Sequence, residues 1–187
     1  MPRLFHFAAS LALSGYLACW VCPGASAATL EQLSIARMSQ SATAIVRARI
    51  ADSSASVTSA TIYTHYKLQV KEVWKGVAAD EVMLPGGLAD GNRQSFPGVP
   101  ELSVGSEYVL FLWKSSSTGI THVLGLTQGL FNVSQQSDGS VIAWRPKIGE
   151  MMLDAAGRKV ADQPVSMKIG DLKTRVRQPG TAVGLSR

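Results

Sequence analysis

The chain contains little cysteine: two of its 187 residues, Cys19 and Cys22, both near the amino terminus. Residues 23–187 therefore contain no thiol nucleophile, no thiolate metal ligand and no cysteine that could form a disulfide. Histidine is also scarce, with three residues in the whole chain. These shortages exclude cysteine hydrolases, dithiol oxidoreductases and cysteine-ligated zinc sites as functions of residues 23–187.

Sequence motifs of common catalytic centres are absent as well. The chain has no His-Glu-x-x-His zinc motif, no Gly-x-Ser-x-Gly nucleophile turn and no phosphate-binding loop ending in Gly-Lys-Ser or Gly-Lys-Thr. His65 and His122 each fall in a predicted strand, where an isolated histidine is typical of a surface position. Asp90 and Glu101 flank a long loop and are interpreted as solvated carboxylates. The sequence thus predicts a protein that is not an enzyme and that needs no metal or cofactor.

Acidic residues are outnumbered by basic ones, 13 against 18, and the formal net charge is +5. The basic residues form no long run, whereas nucleic-acid binding requires a clustered positive footprint. We therefore expect no nucleic-acid partner.

The one long apolar run lies at the amino terminus. Arg3 precedes an apolar stretch over residues 4–21, which is followed by a Pro-Gly pair and by the small residues 25–28. This order is typical of a secretory signal peptide cleaved after Ala27. Two alternatives stay open: an uncleaved anchor, since the run approaches the roughly 20 residues that span a bilayer, and a lipid on Cys19. We expect a periplasmic or secreted protein with no membrane span after cleavage.

The rest of the sequence is patterned mainly as strands. Val46, Ala48 and Ile50 alternate with Arg47 and Arg49, which predicts a strand with one buried and one solvated face. The other expected elements are a helix with a Thr29–Gln32 capping box over residues 30–39, a flexible connection over 52–60, strands over 61–74, 81–84, 107–114, 121–125, 130–133 and 141–144, a long loop without regular structure over 85–100, and a short helix over 169–177.

The longest predicted strand, residues 61–74, contains a break in its alternation. Ile62, Tyr66 and Leu68 are expected to face inward, but the apolar residue after Val70 is Val73 rather than residue 72. One extra residue in a strand is what a β-bulge supplies, so we predict a bulge near residues 71–72. Long, bent strands are typical of small barrels. We expect a mainly β fold: a signal peptide over 1–27, a single OB-like barrel domain with short terminal helices over 28–178, and a disordered tail over 179–187.

Several of these segments occur together in a familiar order. The order is the helix over 29–40, the strands over 44–50 and 63–76, the Pro85-Gly86-Gly87 turn, the strand over 104–112, and Gly125 with the Gln128-Gly129 pair. This order resembles a group of uncharacterised exported bacterial proteins. More distantly, it is similar to the OB-fold of netrin-like domains and tissue inhibitors of metalloproteinases. The resemblance covers roughly residues 28–144. It implies an OB-fold and suggests an exported protease as the partner.

Candidate partner-binding residues fall in two groups, which are expected to adjoin and to bind the partner together. A basic face on two adjacent strands is expected to contain Arg47, Arg49, Lys67 and Lys71, continued by Tyr63 and His65. Arg93 and Phe96 are the expected anchors of the loop over 85–100, because loops of this length are often functional and arginine and aromatic side chains dominate many interfaces.

The leading hypothesis is an exported, non-catalytic binding or modulatory module with a protein partner. An alternative is a carbohydrate-binding or envelope-associated module that binds an anionic polysaccharide through the basic face. Trp74, Trp113 and Trp144 are interpreted either as a sugar site or as the boundary of a barrel core. A third hypothesis is an unrecognised hydrolase, which a histidine–carboxylate pair within hydrogen-bond distance in a cleft would favour.

Overall fold

The computed structural model describes residues 29–178. The predicted signal peptide and tail, residues 1–27 and 179–187, lie outside the described residues. Half of the described residues are in strands and 13% are helical, which confirms the predicted mainly β class. No helix within this part of the chain has the length and apolar character needed to cross a bilayer.

Thirteen strands, two α-helices and one short 3-10 helix make up residues 29–178. The strands are β1 Thr29–Glu31, β2 Ala44–Thr58, β3 Thr61–Lys75, β4 Glu81–Pro85, β5 Gly87–Ala89, β6 Asn92–Gln94, β7 Glu107–Lys114, β8 Thr121–Val123, β9 Leu130–Gln135, β10 Val141–Arg145, β11 Met151–Leu153, β12 Lys159–Val160 and β13 Val165–Lys168. The helices are α1 Ile35–Ser41, the 3-10 helix Leu126–Gly129 and α2 Ile169–Arg177. The strand over 107–114 and the last helix have the bounds predicted from the sequence.

A curled antiparallel sheet of eight strands forms the body of the molecule. The order of seven of its strands is β13-β10-β9-β7-β2-β3-β4. The eighth strand, β8, also pairs with β7. The curl brings β4 close to β8, where the Nδ1–H of His122 donates a hydrogen bond to the carbonyl oxygen of Met83 at 3.0 Å. No strand pairing joins β4 to β8 within residues 29–178, and no closed barrel is detected there.

The predicted bulge is present in β3. Val70 pairs with Ala48 and Glu72 pairs with Arg47, so Lys71 is the extra residue between two consecutive pairs. Two further register shifts leave Trp74 as an extra residue on β3 and Ala51 as an extra residue on β2. Bulges increase local twist and bend, which is consistent with the curl of the sheet at its two longest strands.

Both faces of the central sheet are buried. The concave face is filled by apolar side chains of β2, β3, β4 and β7, including Val46, Ile50, Leu68, Val82, Leu110 and Leu112. The opposite face is covered by α1 and α2, and its core includes Met38, Ile45, Trp74, Phe111, Phe131 and Leu172. Strand β7 has five consecutive buried residues, 108–112, which contribute to both cores, as predicted for a strand that is apolar on both faces.

The predicted amino-terminal helix over 30–39 was placed too early. Residues 29–31 are β1, which pairs in parallel with β11. The helix begins at Ile35, and Ser34 is its N-cap because the Ser34 hydroxyl accepts a hydrogen bond from the Arg37 N–H at 3.1 Å. The Gln128 side chain accepts from the Leu33 N–H at 2.7 Å and donates to the Glu31 carbonyl at 2.9 Å. These tertiary bonds replace the predicted Thr29 capping box.

Two segments predicted to lack regular structure contain strands. Residues 52–58 continue β2 and pair with β3 as far as the Thr58–Thr61 pair, so the predicted flexible connection is wrong. The loop over 85–100 contains the hairpin formed by β5 and β6. In both places pairing with a neighbouring strand orders residues whose own alternation of apolar and polar residues is weak.

Candidate functional site

The predicted basic face lies on the outward side of the β2–β3 hairpin. Ile62, Tyr66 and Leu68 are buried as predicted, so the alternate residues of β3 point outward. The predicted residues Tyr63, His65, Lys67 and Lys71 on β3, and Arg47 and Arg49 on β2, share this side of the pair.

Two of these cations lie in a network with carboxylates. Arg47 donates to Glu72 at 3.0 Å and also to Glu107, and Lys71 donates to Glu107. Lys173 of α2 donates to the second oxygen of Glu72. We call Arg47, Lys71, Glu72, Glu107 and Lys173 the charge cluster. Its two carboxylates offset most of the positive charge that the sequence had suggested for this part of the face.

The carboxylates of the charge cluster are held ionised. The hydrogen bond from Lys173 is the main cause that lowers the pKa of Glu72 to about 2, against the opposing effect of burial. For Glu107, burial opposes ionisation, but hydrogen bonds from Lys71 and Arg47 together outweigh it and lower its pKa. The charge cluster therefore fastens α2 and β7 to the long hairpin.

Arg49 and Lys67 are not members of the charge cluster, although Arg49 on β2 pairs with Glu107 on β7. They line an open cavity of about 830 Å³ between the β2–β3 hairpin and the Val104-Gly105 turn. Asp80 and Glu81 line the same cavity, so it presents charges of both signs.

His65 is hydrogen-bonded on both sides of its ring. Its Nε2 lies 2.8 Å from the Ser56 hydroxyl oxygen, and its Nδ1 lies 3.0 Å from Oε1 of Glu81. A carboxylate only accepts, so the Nδ1–H donates to Glu81. In the neutral ring Nε2 then accepts the Ser56 proton. A serine, a histidine and a carboxylate are thus joined in a row.

Sequence reasoning missed Ser56 and Glu81 as partners of His65. The sequence predicts a flexible connection over residues 52–60, and because a serine on such a loop has no defined neighbour, its contact with His65 was not predicted. Ser54 and Ser56 are two residues apart, so they share one face of a strand. That spacing is the signal that could have placed Ser56 beside the outward residues of the following strand. Glu81 was placed on a strand, but the pairing of that strand with β3 was not predicted.

The loop over 85–100 is fastened to the hairpin through polar contacts. The Gln94 side chain accepts from the Ile62 N–H at 2.8 Å and donates to the Ala60 carbonyl at 3.0 Å. The Thr64 hydroxyl donates to the Gly86 carbonyl at 2.7 Å. A Cβ atom on Gly87 would lie 2.3 Å from the Thr64 hydroxyl oxygen, so only glycine permits this close approach.

The predicted loop anchors Arg93 and Phe96 line a cavity of about 240 Å³ together with Thr64 and Tyr66. Arg93 is exposed, and Phe96 is 42% exposed. Because Thr64 and Tyr66 point to the opposite side of β3 from His65, the loop anchors and the basic face do not form one continuous surface. The structure places the predicted site residues in two groups on opposite sides of the hairpin.

The tryptophans differ in their surroundings. Trp74 is buried, and its indole N–H donates to Glu72 at 3.1 Å. Trp113 stacks on His122 with ring centroids 6.3 Å apart, while Trp144 lies on β10.

Within residues 29–178 no three histidine, cysteine, aspartate or glutamate side chains are grouped so that they could hold a metal ion.

Comparison of the chain with protein-family models gave no match, and comparison with curated proteins also gave none. The functional proposal therefore rests on the geometry of the described residues together with the sequence patterns given above.

Proposed function

We propose that this protein is an exported module that acts by binding another protein, with an exported protease as the expected class of partner. The observation that carries the proposal is the loop over 85–100, which presents Arg93 and Phe96 from a segment fastened to the β2–β3 hairpin. Export rests on the signal-peptide pattern of residues 1–27.

Three properties of the loop favour recognition of a protein. Phe96 and Leu88 are exposed apolar side chains, 42% and 58% accessible, and Leu88 pairs with Arg93 across the β5–β6 hairpin. Aromatic and arginine side chains are frequent anchors of protein interfaces. Because the Gln94 and Thr64 hydrogen bonds already hold the loop, little conformational entropy is lost when a partner binds.

We also propose that the curled sheet is an OB-like barrel that is not fully closed. The order β4-β3-β2-β7-β8 curls around one core, and the His122–Met83 hydrogen bond joins its two ends. OB-type barrels bind through loops beside the barrel, which is where the loop over 85–100 lies.

The carbohydrate-binding alternative receives less support. Arg47 and Lys71 are paired with Glu107, and Arg49 and Lys67 share their cavity with Asp80 and Glu81. An anionic polysaccharide would have to compete with these carboxylates, because like charges disfavour its approach.

The proposal is tested with the double variant Arg93→Ala/Phe96→Ala, used beside the wild-type chain (residues 28–187) to capture proteins from an envelope extract. A specific partner binds the wild type, and its affinity for the double variant falls at least about tenfold, corresponding to about 1.4 kcal/mol. The matched control is Arg158→Ala/Val77→Ala, which removes one exposed cation and one exposed apolar side chain elsewhere.

The melting temperature of each variant checks the fold, since exposed side chains contribute little to the core. Equal capture by wild type and the double variant would move the binding surface away from this loop. Binding of an acidic polysaccharide that is lost in Arg49→Ala/Lys67→Ala would favour the alternative instead.

A further inference from the structure

We propose that Ser56, His65 and Glu81 form a second, separate site that transfers acyl groups, with Ser56 as the nucleophile and small carboxylic esters as the class of substrate. The site lies on the outward face of the β2–β3 hairpin, on the opposite side of β3 from Arg93 and Phe96. It therefore does not depend on the binding function of the loop.

The first support is the order of the hydrogen bonds. Glu81 accepts from the Nδ1–H of His65 at 3.0 Å, which leaves Nε2 as the basic nitrogen. Nε2 lies 2.8 Å from Ser56 Oγ, within the range in which a base removes the proton of a hydroxyl nucleophile. Each group is thus in the position that its role requires.

The second support is the arrangement of strands that fixes these side chains. Ser56 pairs with Tyr63 and His65 pairs with Ser54, so His65 reaches Ser56 diagonally across the β2–β3 pair. On the other side His65 pairs with Met83, and it reaches Glu81 diagonally across the β3–β4 pair. All three residues are on paired strands, so their spacing does not depend on a loop.

The accessibility of the site fits a small substrate. Ser56 is exposed, while the His65 side chain is 23% and the Glu81 side chain 42% accessible. The face is open, so few contacts hold a substrate, and we expect weak binding and slow turnover rather than high specificity.

A donor for the developing oxyanion lies next to the nucleophile. The Ile62 N–H donates to the Gln94 side chain and the Ile62 carbonyl accepts from the Gly86 N–H, so both groups point away from β2. Val57 is the register partner of Ile62, so the Val57 N–H also points away from β3. The register of β7 with β2 covers only Ala44–Arg49, which leaves the Val57 N–H on an open edge among the described strands. This N–H follows the nucleophile directly in the chain and can donate to the oxyanion.

The reaction proceeds in two steps, acylation of Ser56 and hydrolysis of the acyl-serine. Ser56 Oγ attacks the ester carbonyl carbon while His65 Nε2 takes the hydroxyl proton. The carbon–oxygen bond to the alcohol then breaks, and His65 returns that proton to the leaving oxygen, which gives an acyl-serine and the free alcohol. Water attacks the acyl-serine with the same proton transfers, releasing the carboxylic acid and restoring Ser56. Glu81 acts as a positioning residue that holds the ring and its tautomer.

The test uses a fluorophosphonate probe, which forms a stable bond to activated serine oxygens with loss of fluoride. We expect one adduct per wild-type chain by intact mass, mapped to Ser56 by peptide analysis. Ser56→Ala should take up none, and His65→Gln should label at least about tenfold more slowly, because general bases commonly contribute 10²–10⁴-fold. The matched control is Ser54→Ala, which removes the neighbouring outward serine and should label like the wild type.

Glu81 is tested by a pair of variants. Glu81→Gln should slow labelling, and Glu81→Asp should restore part of the rate while the melting temperature stays the same, which a purely structural role would not produce. Absence of an adduct on Ser56 in the wild type, or equal labelling of Ser56→Ala, would overturn the proposal.

Discussion

At the scale of single residues, Glu72 joins three parts of the molecule. It accepts hydrogen bonds from Arg47 on β2, from Trp74 on its own strand and from Lys173 on α2. The sequence predicted that Arg47 and Lys71 face outward, because strand alternation is a local property. It did not predict that Lys173 meets Glu72, because that contact joins residues far apart in the chain.

Glu72 makes stability depend on acid pH. Its folded-state pKa of about 2 lies below the ordinary value of 4.5, so ionisation of Glu72 favours the folded state above pH 4.5, and this contribution disappears as the pH falls through about 2. Partial solvent exposure reduces its size. We expect the melting temperature of the wild type to fall more steeply over this interval than that of Glu72→Gln.

Thermal unfolding followed by circular dichroism from pH 6 to pH 2 is the measurement. Glu31→Gln, at an exposed carboxylate outside the charge cluster, is the control and should follow the wild-type curve. Parallel curves for wild type and Glu72→Gln would show that the carboxylate is not held by Lys173 in solution.

At the scale of elements, the β2–β3 hairpin shows which part of a strand a sequence can reveal. The strand over 61–74 was found from its alternating apolar residues, and its bulge from the break in that alternation. The second half of β2 was not predicted because Ala55 and Val57 are the only apolar residues of 52–58, which is too weak an alternation to indicate a strand. Its strand conformation follows from pairing with β3, and pairing between strands is a tertiary interaction.

The turn at the tip of the β2–β3 hairpin contains two residues in an unfavourable backbone conformation. Ser59 and Ala60 have φ values of 49° and 66°, and such positive values favour asparagine and glycine. We expect Ser59→Asn/Ala60→Gly to increase the free energy of unfolding by about 1 kcal/mol, which raises the melting temperature by about 2–4 °C.

The β5–β6 turn provides the reverse comparison. Asp90 and Gly91 already have φ values of 51° and 75°, and a Cβ atom on Gly91 would contact nothing within 4 Å. Gly91→Ala should therefore lower the melting temperature through backbone conformation alone. A lower melting temperature for the Ser59→Asn/Ala60→Gly variant would contradict the positive φ values at the hairpin tip.

At the scale of the whole molecule, the sequence predicted the mainly β class, most central strands and the adjacency of β2 and β3, but not the order in which the other strands pair. Strand β11 was not predicted at all, because Met151–Leu153 is only three residues long and has no period of its own. The parallel pairing of β1 with β11 follows from the meeting of two distant segments, which local patterns do not encode.

The proposed export predicts a mature protein of defined mass. The signal-peptide pattern places cleavage after Ala27, so protein recovered from the exported fraction should have the intact mass of residues 28–187 and contain no cysteine. Its melting temperature should be the same with and without a thiol reductant, because no disulfide can form. A mass that includes Met1, or a lipid on Cys19, would refute cleavage at this position.

The β1–β11 pairing bears on how the chain acquires its structure during secretion. Thr29 and Met151 lie far apart in the chain, so under the proposed export this contact would form only after residue 151 has been translocated. The β2–β3 hairpin joins neighbouring segments and can form earlier, since closing a short loop costs less entropy than closing a long one. We therefore expect the hairpin to form while β1 and β11 are still unpaired and open to proteolysis.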